Sequence, residues 1–303
     1  MKKRFAEYRK LCVSDKIFYG VVDIIMLIML VAVLIPLLYV ISSSISQPSE
    51  VLRGKVFILP KGLSLDGYKA VFKDSRIITG YLNTILYTGS ITLFAVIVNI
   101  MFAYPLSRPD LVGGKFFMML ITFSMLFSGG IVPTYILMKD LHLIDTRWSI
   151  ILPSLISAYN LIIARTFFQT SVPKELLEAA QLDGCNNLRF IWSIVLPLSK
   201  AIIAVLALYY GVAAWNNWFS AYIYLGDINK YPLQLVLKEI LFGNSTSSAA
   251  ATGNVGGDSS ELDALSESIK YACIMISCLP VWCLFPFVQK YFVQGVMIGS
   301  VKG

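Results

Sequence analysis

Six long apolar runs, almost free of charge, determine what this chain of 303 residues can fold into. Each run can cross roughly 30 Å of hydrocarbon, which takes about 20 helical residues. Backbone polar groups in lipid must be paired within their own segment, so helices are expected. The predicted fold class is an all-α integral membrane protein with six transmembrane helices. The six runs are Ile17–Ile41, Ile77–Tyr104, Phe116–Met138, Trp148–Phe168, Ala201–Leu225 and Tyr271–Val288.

The overall composition agrees with a membrane protein. Hydrophobic residues make up 57% of the chain and charged residues 14%, whereas an ordinary soluble domain carries roughly a quarter charged residues. A soluble globular enzyme is thereby excluded, and the net charge of +7 is assigned to a membrane surface, so no nucleic-acid partner is expected. The first apolar run is too long for a signal-peptide core and has no small-x-small cleavage site, which predicts a retained helix.

The runs divide the chain into three parts. Residues 1–76 hold the N-terminal segment, the first helix and an outer loop; residues 77–289 form a five-helix core; residues 290–303 form a tail. With the N-terminus inside, 14 Lys and Arg lie on the inner side and 11 on the outer side, a weak positive-inside signal. Asp23 and Arg165 lie near the ends of their runs, which favours snorkelling toward headgroups over a buried functional charge.

Most chemistry that needs several functional groups is absent from the sequence. His142 is the only histidine, which excludes an H-E-x-x-H site, and no C-x-x-C pair indicates a zinc site or a redox site. No G-x-x-x-x-G-K-[ST] loop occurs, so the chain cannot hold nucleotide phosphates by itself. We therefore expect no catalytic residues, no metal and no cofactor in this chain, and any energy from ATP must come through a partner.

The polar segment 172–197 differs from the other loops. Pro173 can begin a helix, and Lys174–Leu182 is rich in strong helix formers. Asp183-Gly184 predicts a sharp turn, because glycine readily takes the left-handed conformation that closes a helix. A second amphipathic stretch, Asn187–Val195, is expected to end at Pro197. The segment therefore predicts a helix-turn-helix beside the membrane.

The same segment resembles a known motif, the EAA loop of binding-protein-dependent ABC importer permeases. Glu178-Ala179-Ala180, three residues, Gly184, nine residues, Ile194, one residue and Leu196-Pro197 match its seven specified positions. The chain is most similar to the carbohydrate branch, to subunits of the LplC/YtcP type related to the second maltose permease. Further matching segments are Tyr104–Arg108, Phe127–Tyr135, Leu143–Trp148, Trp215–Phe219, Tyr231–Leu237 and Gly299–Gly303.

The resemblance implies a type I importer of complex oligosaccharides in a bacterial cytoplasmic membrane. Its implied partners are a second, non-identical permease, two ATPase subunits that bind ATP and Mg, an extracellular solute-binding protein and the oligosaccharide itself. The EAA loop would be cytoplasmic, which places both termini inside. A multispan enzyme acting on sugars or lipid-linked sugars would need acidic or histidine clusters at a membrane face, and a secondary carrier would not need the EAA loop.

Site residues also follow from the resemblance. Lys174–Leu182 would be the coupling helix, with Glu178 as a polar anchor, Ala179 and Ala180 allowing close approach, and Gly184 setting the turn; the full ATPase-coupling set is Glu178, Ala179, Ala180, Leu182, Asp183 and Gly184. The ending Val301, Lys302 and Gly303 would reach the ATPase subunits, and a frayed terminus is the alternative.

Two further regions carry open alternatives. The aromatic and amide residues Trp215, Asn216, Asn217, Trp218 and Tyr222 suit a sugar pathway, yet Trp and Tyr are also enriched at membrane interfaces and in helix packing. The composition of 243–260, within the outer loop 226–269, predicts a flexible loop. The resemblance implies that this loop enters the binding protein, and a slack connection is the alternative.

Overall fold

The computed structural model describes residues 12–251 and 259–300, which are almost entirely helical. Within them, strand pairing is limited to one isolated bridge between Ser46 and Leu63. Short 3-10 turns at Leu152–Ser154 and Ile228–Lys230 and a π turn at Ile191–Val195 join some of the helices. In chain order the helices are α1 (Val13–Ser44), α2 (Pro48–Leu52), α3 (Asp66–Lys73), α4 (Ser75–Ser107), α5 (Gly114–Leu126), α6 (Ile131–Asp140), α7 (Trp148–Ile151), α8 (Ala158–Ser171), α9 (Lys174–Leu182), α10 (Asn187–Phe190), α11 (Leu196–Leu198), α12 (Lys200–Trp215), α13 (Phe219–Tyr224), α14 (Leu233–Ala251) and α15 (Ser259–Ser300).

Three of these helices are long and apolar enough to cross a membrane unaided. They are α1, α4 and the stretch 263–283 of α15. Three further candidates are bent pairs of helices. These are α5 with α6, residues Trp148–Ser154 (α7 and the turn after it) with α8, and residues Asn187–Leu198 (α10 to α11) with α12. If each pair counts as one span, the described residues supply up to six spans. The predicted all-α membrane fold is confirmed.

Three of the predicted spans are not the continuous helices that we expected: the third, the fifth, and the fourth, which bends by 41° between Ser154 and Ala158. The third is bent by 113° at residues 127–130, where Gly130 has φ +87°, a conformation that favours glycine. The fifth was expected to reach Leu225, but α12 ends at Trp215 and α13 begins only at Phe219. Hydropathy alone does not detect such breaks, because the residues on both sides remain apolar.

Among the described residues, 12–73, 241–251 and 259–276 form one compact unit. Within its described part, Tyr68 of α3 donates its hydroxyl to Ser44 Oγ at 3.0 Å. Gly67 of α3 lies so close to α15 that an added β-carbon would be 2.6 Å from Ser268 Oγ. The most apolar window of α1 has no buried residue, so nearly all of that surface is available to lipid or to another chain.

Residues 74–240 and 277–300 form the second unit, whose core lies where α4 packs on α12 and α8. Tyr210 of α12 stands at the centre, because its hydroxyl accepts hydrogen bonds from Asn99 Nδ2 of α4 at 2.6 Å and from the Ser157 N–H at 3.0 Å. Ser157 is in turn the N-cap of α8. A buried polar group is costly unless it is paired, so this hydroxyl fixes the three helices against one another.

Candidate functional site

Helix α9 occupies Lys174–Leu182, as predicted, with Pro173 at its N-cap. It ends in a Schellman motif: the Gly184 N–H donates to the Gln181 carbonyl at 3.0 Å, and the Cys185 N–H donates to the Ala180 carbonyl at 2.8 Å. Gly184 has φ +69°, the left-handed conformation expected at this position. The turn therefore reverses the chain immediately after α9 and fixes the direction of α10.

The inner side of this helix-turn-helix is held by the core of the second unit. Phe190 of α10 is fully buried against Tyr104 of α4, with ring centroids 6.2 Å apart, and Tyr104 also meets Phe168 of α8 edge-on at 5.9 Å. Ala180 is 7% exposed and packs in the same cluster. The small side chain that the resemblance assigned to close approach of a partner is thus used within this chain.

The other side of the helix-turn-helix is exposed. Glu178, Ala179, Asp183 and Gly184 are all accessible, and Leu182 is 90% exposed. After the turn, Leu188 is 66% and Trp192 71% exposed. We call Glu178, Ala179, Leu182, Leu188 and Trp192 the α9–α10 surface. Three large apolar side chains in one short polar segment indicate a surface that another molecule covers.

Arg108, just after α4, ties the neighbouring loop to α10. Its guanidinium donates Nη1 to Asn187 Oδ1 at 2.9 Å and Nε to Asp110 Oδ1 at 2.9 Å. Hydrogen bonding to Arg108 lowers the pKa of Asp110 below its ordinary value. Arg108 lies in a segment that the sequence singled out, yet the spacing gave no sign that it would reach a residue 79 positions away.

The candidate sugar residues do not share one role. Trp215 is buried, and its indole N–H donates to the Ser277 carbonyl at 3.0 Å, so it joins α12 to α15. Asn216 Nδ2 donates to the Val212 carbonyl at 2.9 Å, and Asn217 Oδ1 accepts from the Ser220 N–H at 3.3 Å. These three side chains shape the break between α12 and α13, which agrees with the helix-packing alternative.

Trp218, which is half-buried, and Tyr222, which is exposed, are the two aromatic members of that group that are not fully buried. Tyr222 is 66% exposed, and its ring centroid is 6.5 Å from that of Trp218. The ammonium of Lys238, on α14, lies 2.7 Å from the centroid of the Trp218 ring, a cation–π contact. The contact between Lys238 and the Trp218 ring was not predicted, because Lys238 follows Trp218 by 20 residues.

One face of α4 holds the backbone of residues 229–233. Asn83 Nδ2 donates to the Asn229 and Tyr231 carbonyls at 2.7 and 3.1 Å, and Tyr87 donates its hydroxyl to the Lys230 carbonyl at 2.8 Å. Thr84 Oγ1 accepts from the Leu233 N–H at 2.8 Å. Gly80, one turn earlier, leaves room for this segment. We call these four α4 residues the α4 latch.

Asp145 fixes the same segment from another side. Its Oδ1 accepts from the Gly226 and Asp227 N–H groups at 3.1 and 3.0 Å, and its carbonyl accepts from Lys230 Nζ at 2.7 Å. The backbone N–H groups of Asp227 and Gly226, followed by Lys230, hold the pKa of Asp145 below its ordinary value. The backbone of Asp145 has φ +57°, a left-handed conformation that aspartate tolerates better than most residues.

Because the pKa of Asp145 is lowered on folding, the stability it contributes is present above the ordinary carboxyl range and is lost as pH falls through the lowered value. We expect Asp145→Asn to lower the unfolding temperature of the purified chain slightly at neutral pH, since 44% of the Asp145 side chain is open to solvent, which screens its interactions. The difference from wild type should shrink as pH falls below about 4. Thermal unfolding in detergent at several pH values checks this, and a difference that grows in acid would contradict it.

The two segments predicted to contact partner proteins, the C-terminal end and the outer loop, include residues that the structure does not describe. Val301, Lys302 and Gly303 lie outside the described residues, as do residues 252–258. The preceding part of the segment expected to be a flexible loop is not a loop, because α14 continues to Ala251. The residues at 247–251 are serine and alanine, and alanine is the strongest helix former, so this stretch continues the helix.

Comparison with known proteins identifies this arrangement. Residues 5–298 match the family described as binding-protein-dependent transport system inner membrane component. The chain belongs to this family. The permease is 39% identical over 293 residues to the polygalacturonan/rhamnogalacturonan transport system permease protein YtcP of Bacillus subtilis, covering 95% of this chain and 98% of that one. It is 40% identical over 270 residues to the protein LplC of the same organism, covering 89% and 90%.

A solved structure agrees. The permease aligns with a chain of a bacterial ABC transporter involved in the import of the acidic polysaccharide alginate, with TM-score 0.81 and 33% identity over 93% of this chain and 99% of that chain. The predicted resemblance is therefore confirmed: this is a multi-pass permease subunit of a binding-protein-dependent ABC importer. It is a transport subunit and not an enzyme, and its partners include an ATPase and a solute-binding protein.

Proposed function

We propose that the permease forms one half of the translocation pathway of an oligosaccharide importer and that α9 docks on an ATPase subunit. The observation that carries this proposal is the α9–α10 surface. Leu182 is 90% and Trp192 71% exposed, on a segment whose inner side is fixed by Phe190 and Tyr104. A rigidly held apolar surface is suited to transmit a movement of its partner to α4 and α8.

The proposal includes the rest of the assembly that the family resemblance implies. A second, non-identical permease completes the pathway, two ATPase subunits bind ATP and Mg, and both termini of this chain are cytoplasmic. ATP and the loaded binding protein would favour the same packed arrangement of the helices, so each would raise the effect of the other. In this proposal Val301, Lys302 and Gly303 add a second ATPase contact, and the loop 226–269 meets the binding protein.

The cargo that we propose is an oligosaccharide derived from an acidic polysaccharide. The cargoes of two similar transporters support this class, since polygalacturonan and alginate are both polymers of uronic acids. Trp218 and Tyr222 offer aromatic faces for sugar rings, and Lys238 beside them offers a positive charge for a carboxylate. The contact would be made near the break between α12 and α13.

Docking through α9 is tested by Leu182→Asp in the permease expressed with its partner subunits. Because Leu182 is 90% exposed, the substitution should leave the fold intact, yet it places a charge in the apolar interface. We expect the ATPase to be lost from the purified complex. Leu63→Asp is the matched control, as Leu63 is 80% exposed and far from α9 in the sequence. Retention of the ATPase by Leu182→Asp, at the level of this control, would refute the docking proposal.

A further inference from the structure

A basic cavity opens beside the N-terminal end of α9, within the second unit. Its volume is about 620 Å³, and it is lined by residues at the end of α4, the start of α5, the end of α8 and the start of α9. Four of the lining residues are basic: Arg108, Lys115, Arg165 and Lys174. Among the described residues that line it, none is an aspartate or a glutamate.

Three of these four basic side chains are available to a ligand. Arg108 is neutralised by Asp110, to which it donates two hydrogen bonds. Lys115, Arg165 and Lys174 form no ion pair with any carboxylate in the described part of the chain. Arg165 is held in place, because its Nε donates to the Leu106 carbonyl at 3.0 Å, which leaves the rest of the guanidinium for other partners. Like charges brought together repel, and a bound anion relieves that repulsion.

The backbone adds to the positive potential. The cavity lining includes Gly113 and Gly114 at the N-terminus of α5, and Pro173 and Lys174 at the N-terminus of α9. Neither helix has a side-chain hydrogen bond at its N-cap. The N-terminal ends of helices favour anions, since they carry unpaired N–H groups and the positive end of the helix dipole.

Apolar side chains beside the cavity indicate what kind of anion it binds. Val112 is 92% exposed, Phe116 55% and Phe117 49%, and all three are within two positions of the lining residues Leu111, Gly113 and Lys115 in the sequence. A soluble anion would leave these side chains uncovered. A phospholipid covers them with its acyl chains while its headgroup phosphate reaches the basic residues.

We propose that this cavity is a binding site for the phosphate headgroup of an anionic phospholipid, held by Lys115, Arg165 and Lys174. The site lies against α9, so lipid occupancy bears on the position of that helix. The proposal does not depend on docking of the ATPase or on the identity of the cargo, and it is tested on this chain alone.

The experiment is a lipid titration of the purified full chain in detergent, read by native mass spectrometry. Dioleoylphosphatidylglycerol should bind more tightly than dioleoylphosphatidylcholine. Lys115→Gln with Lys174→Gln should weaken phosphatidylglycerol binding by about twentyfold, since each basic residue near an anionic headgroup contributes roughly a fivefold preference. Both side chains are exposed, so the fold should be retained, and an unchanged circular dichroism spectrum checks this.

Arg189→Gln with Lys200→Gln is the matched control, because it removes two exposed basic residues that do not line the cavity. It should bind phosphatidylglycerol as wild type does. Equal affinities of the Lys115/Lys174 variant and wild type would overturn the proposal, and so would equal losses in the variant and the control. Displacement of the lipid by millimolar inorganic phosphate would show that the cavity takes a soluble anion, which would also overturn the lipid assignment.

Discussion

Replacing Gly184 with valine is expected to abolish most ATP-driven transport while leaving the permease in the membrane. Gly184 has φ +69°, and nothing lies within 4 Å of the β-carbon that a substitution would add. The free-energy cost of the valine side chain therefore comes from the strained backbone conformation and not from a steric clash. It amounts to about 1–2 kcal/mol for an ordinary residue in the left-handed region. A β-branched residue is a stronger outlier there, so the turn is expected to open and the direction of α10 to change.

Gly184→Asn is the matched control at the same position. Asparagine visits the left-handed conformation more readily than other non-glycine residues, so the Schellman turn should persist. We expect the asparagine variant to keep most of the ATPase stimulation by the loaded binding protein and the valine variant to lose roughly tenfold, which matches the cost of the turn. The measurement is ATP hydrolysis by the complex in proteoliposomes, with the amount of membrane-inserted permease checked by immunoblot. Equal activity of the two variants would mean that the turn does not set coupling.

The helix-turn-helix of 172–197 shows how much sequence reasoning can achieve where the signals are local. Helix formers at Lys174–Leu182, the proline before them and the glycine after them all act within a few residues, and the observed helix has the predicted bounds. The predicted end of the following stretch at Pro197 is nearly right, as the helix breaks at Ser199. Capping and turn chemistry are fixed by the immediate neighbours of a residue, so they can be read directly.

Features that depend on distant residues could not be predicted in this way. The break between α12, which ends at Trp215, and α13, which begins at Phe219, lies inside the predicted apolar run Ala201–Leu225, so hydropathy does not reveal it. Ala180 lies inward because Phe190, Tyr104 and Phe168 form the cluster beneath it. Trp215 donates its indole N–H to the backbone carbonyl of Ser277, 62 residues away, and so packs α12 against α15. Such contacts are set by the tertiary fold.

The second large prediction concerns the stability of the permease and rests on Gly80 of the α4 latch. A β-carbon added at Gly80 would lie 3.1 Å from the Leu233 Cα and 3.2 Å from its backbone nitrogen. Both atoms belong to backbone, so neither can rotate away as a side chain would. The same nitrogen donates to Thr84 Oγ1 at 2.8 Å, so a shift of Leu233 would lengthen this hydrogen bond. It would also weaken the hydrogen bonds that Asn83 and Tyr87 make to residues 229–231.

Gly80→Val is therefore expected to destabilise the purified permease by about 2 kcal/mol, within the range for overpacking. The unfolding temperature should fall by roughly 5 °C. Gly89→Val is the matched control on the same helix, where an added β-carbon meets nothing within 4 Å. It should be neutral or slightly stabilising, because valine is a better helix former than glycine. Thermal unfolding in detergent measures both, and cleavage by thermolysin within 226–233 should increase only in Gly80→Val. Equal unfolding temperatures for the two variants would show that the close approach of Leu233 to α4 does not hold this segment.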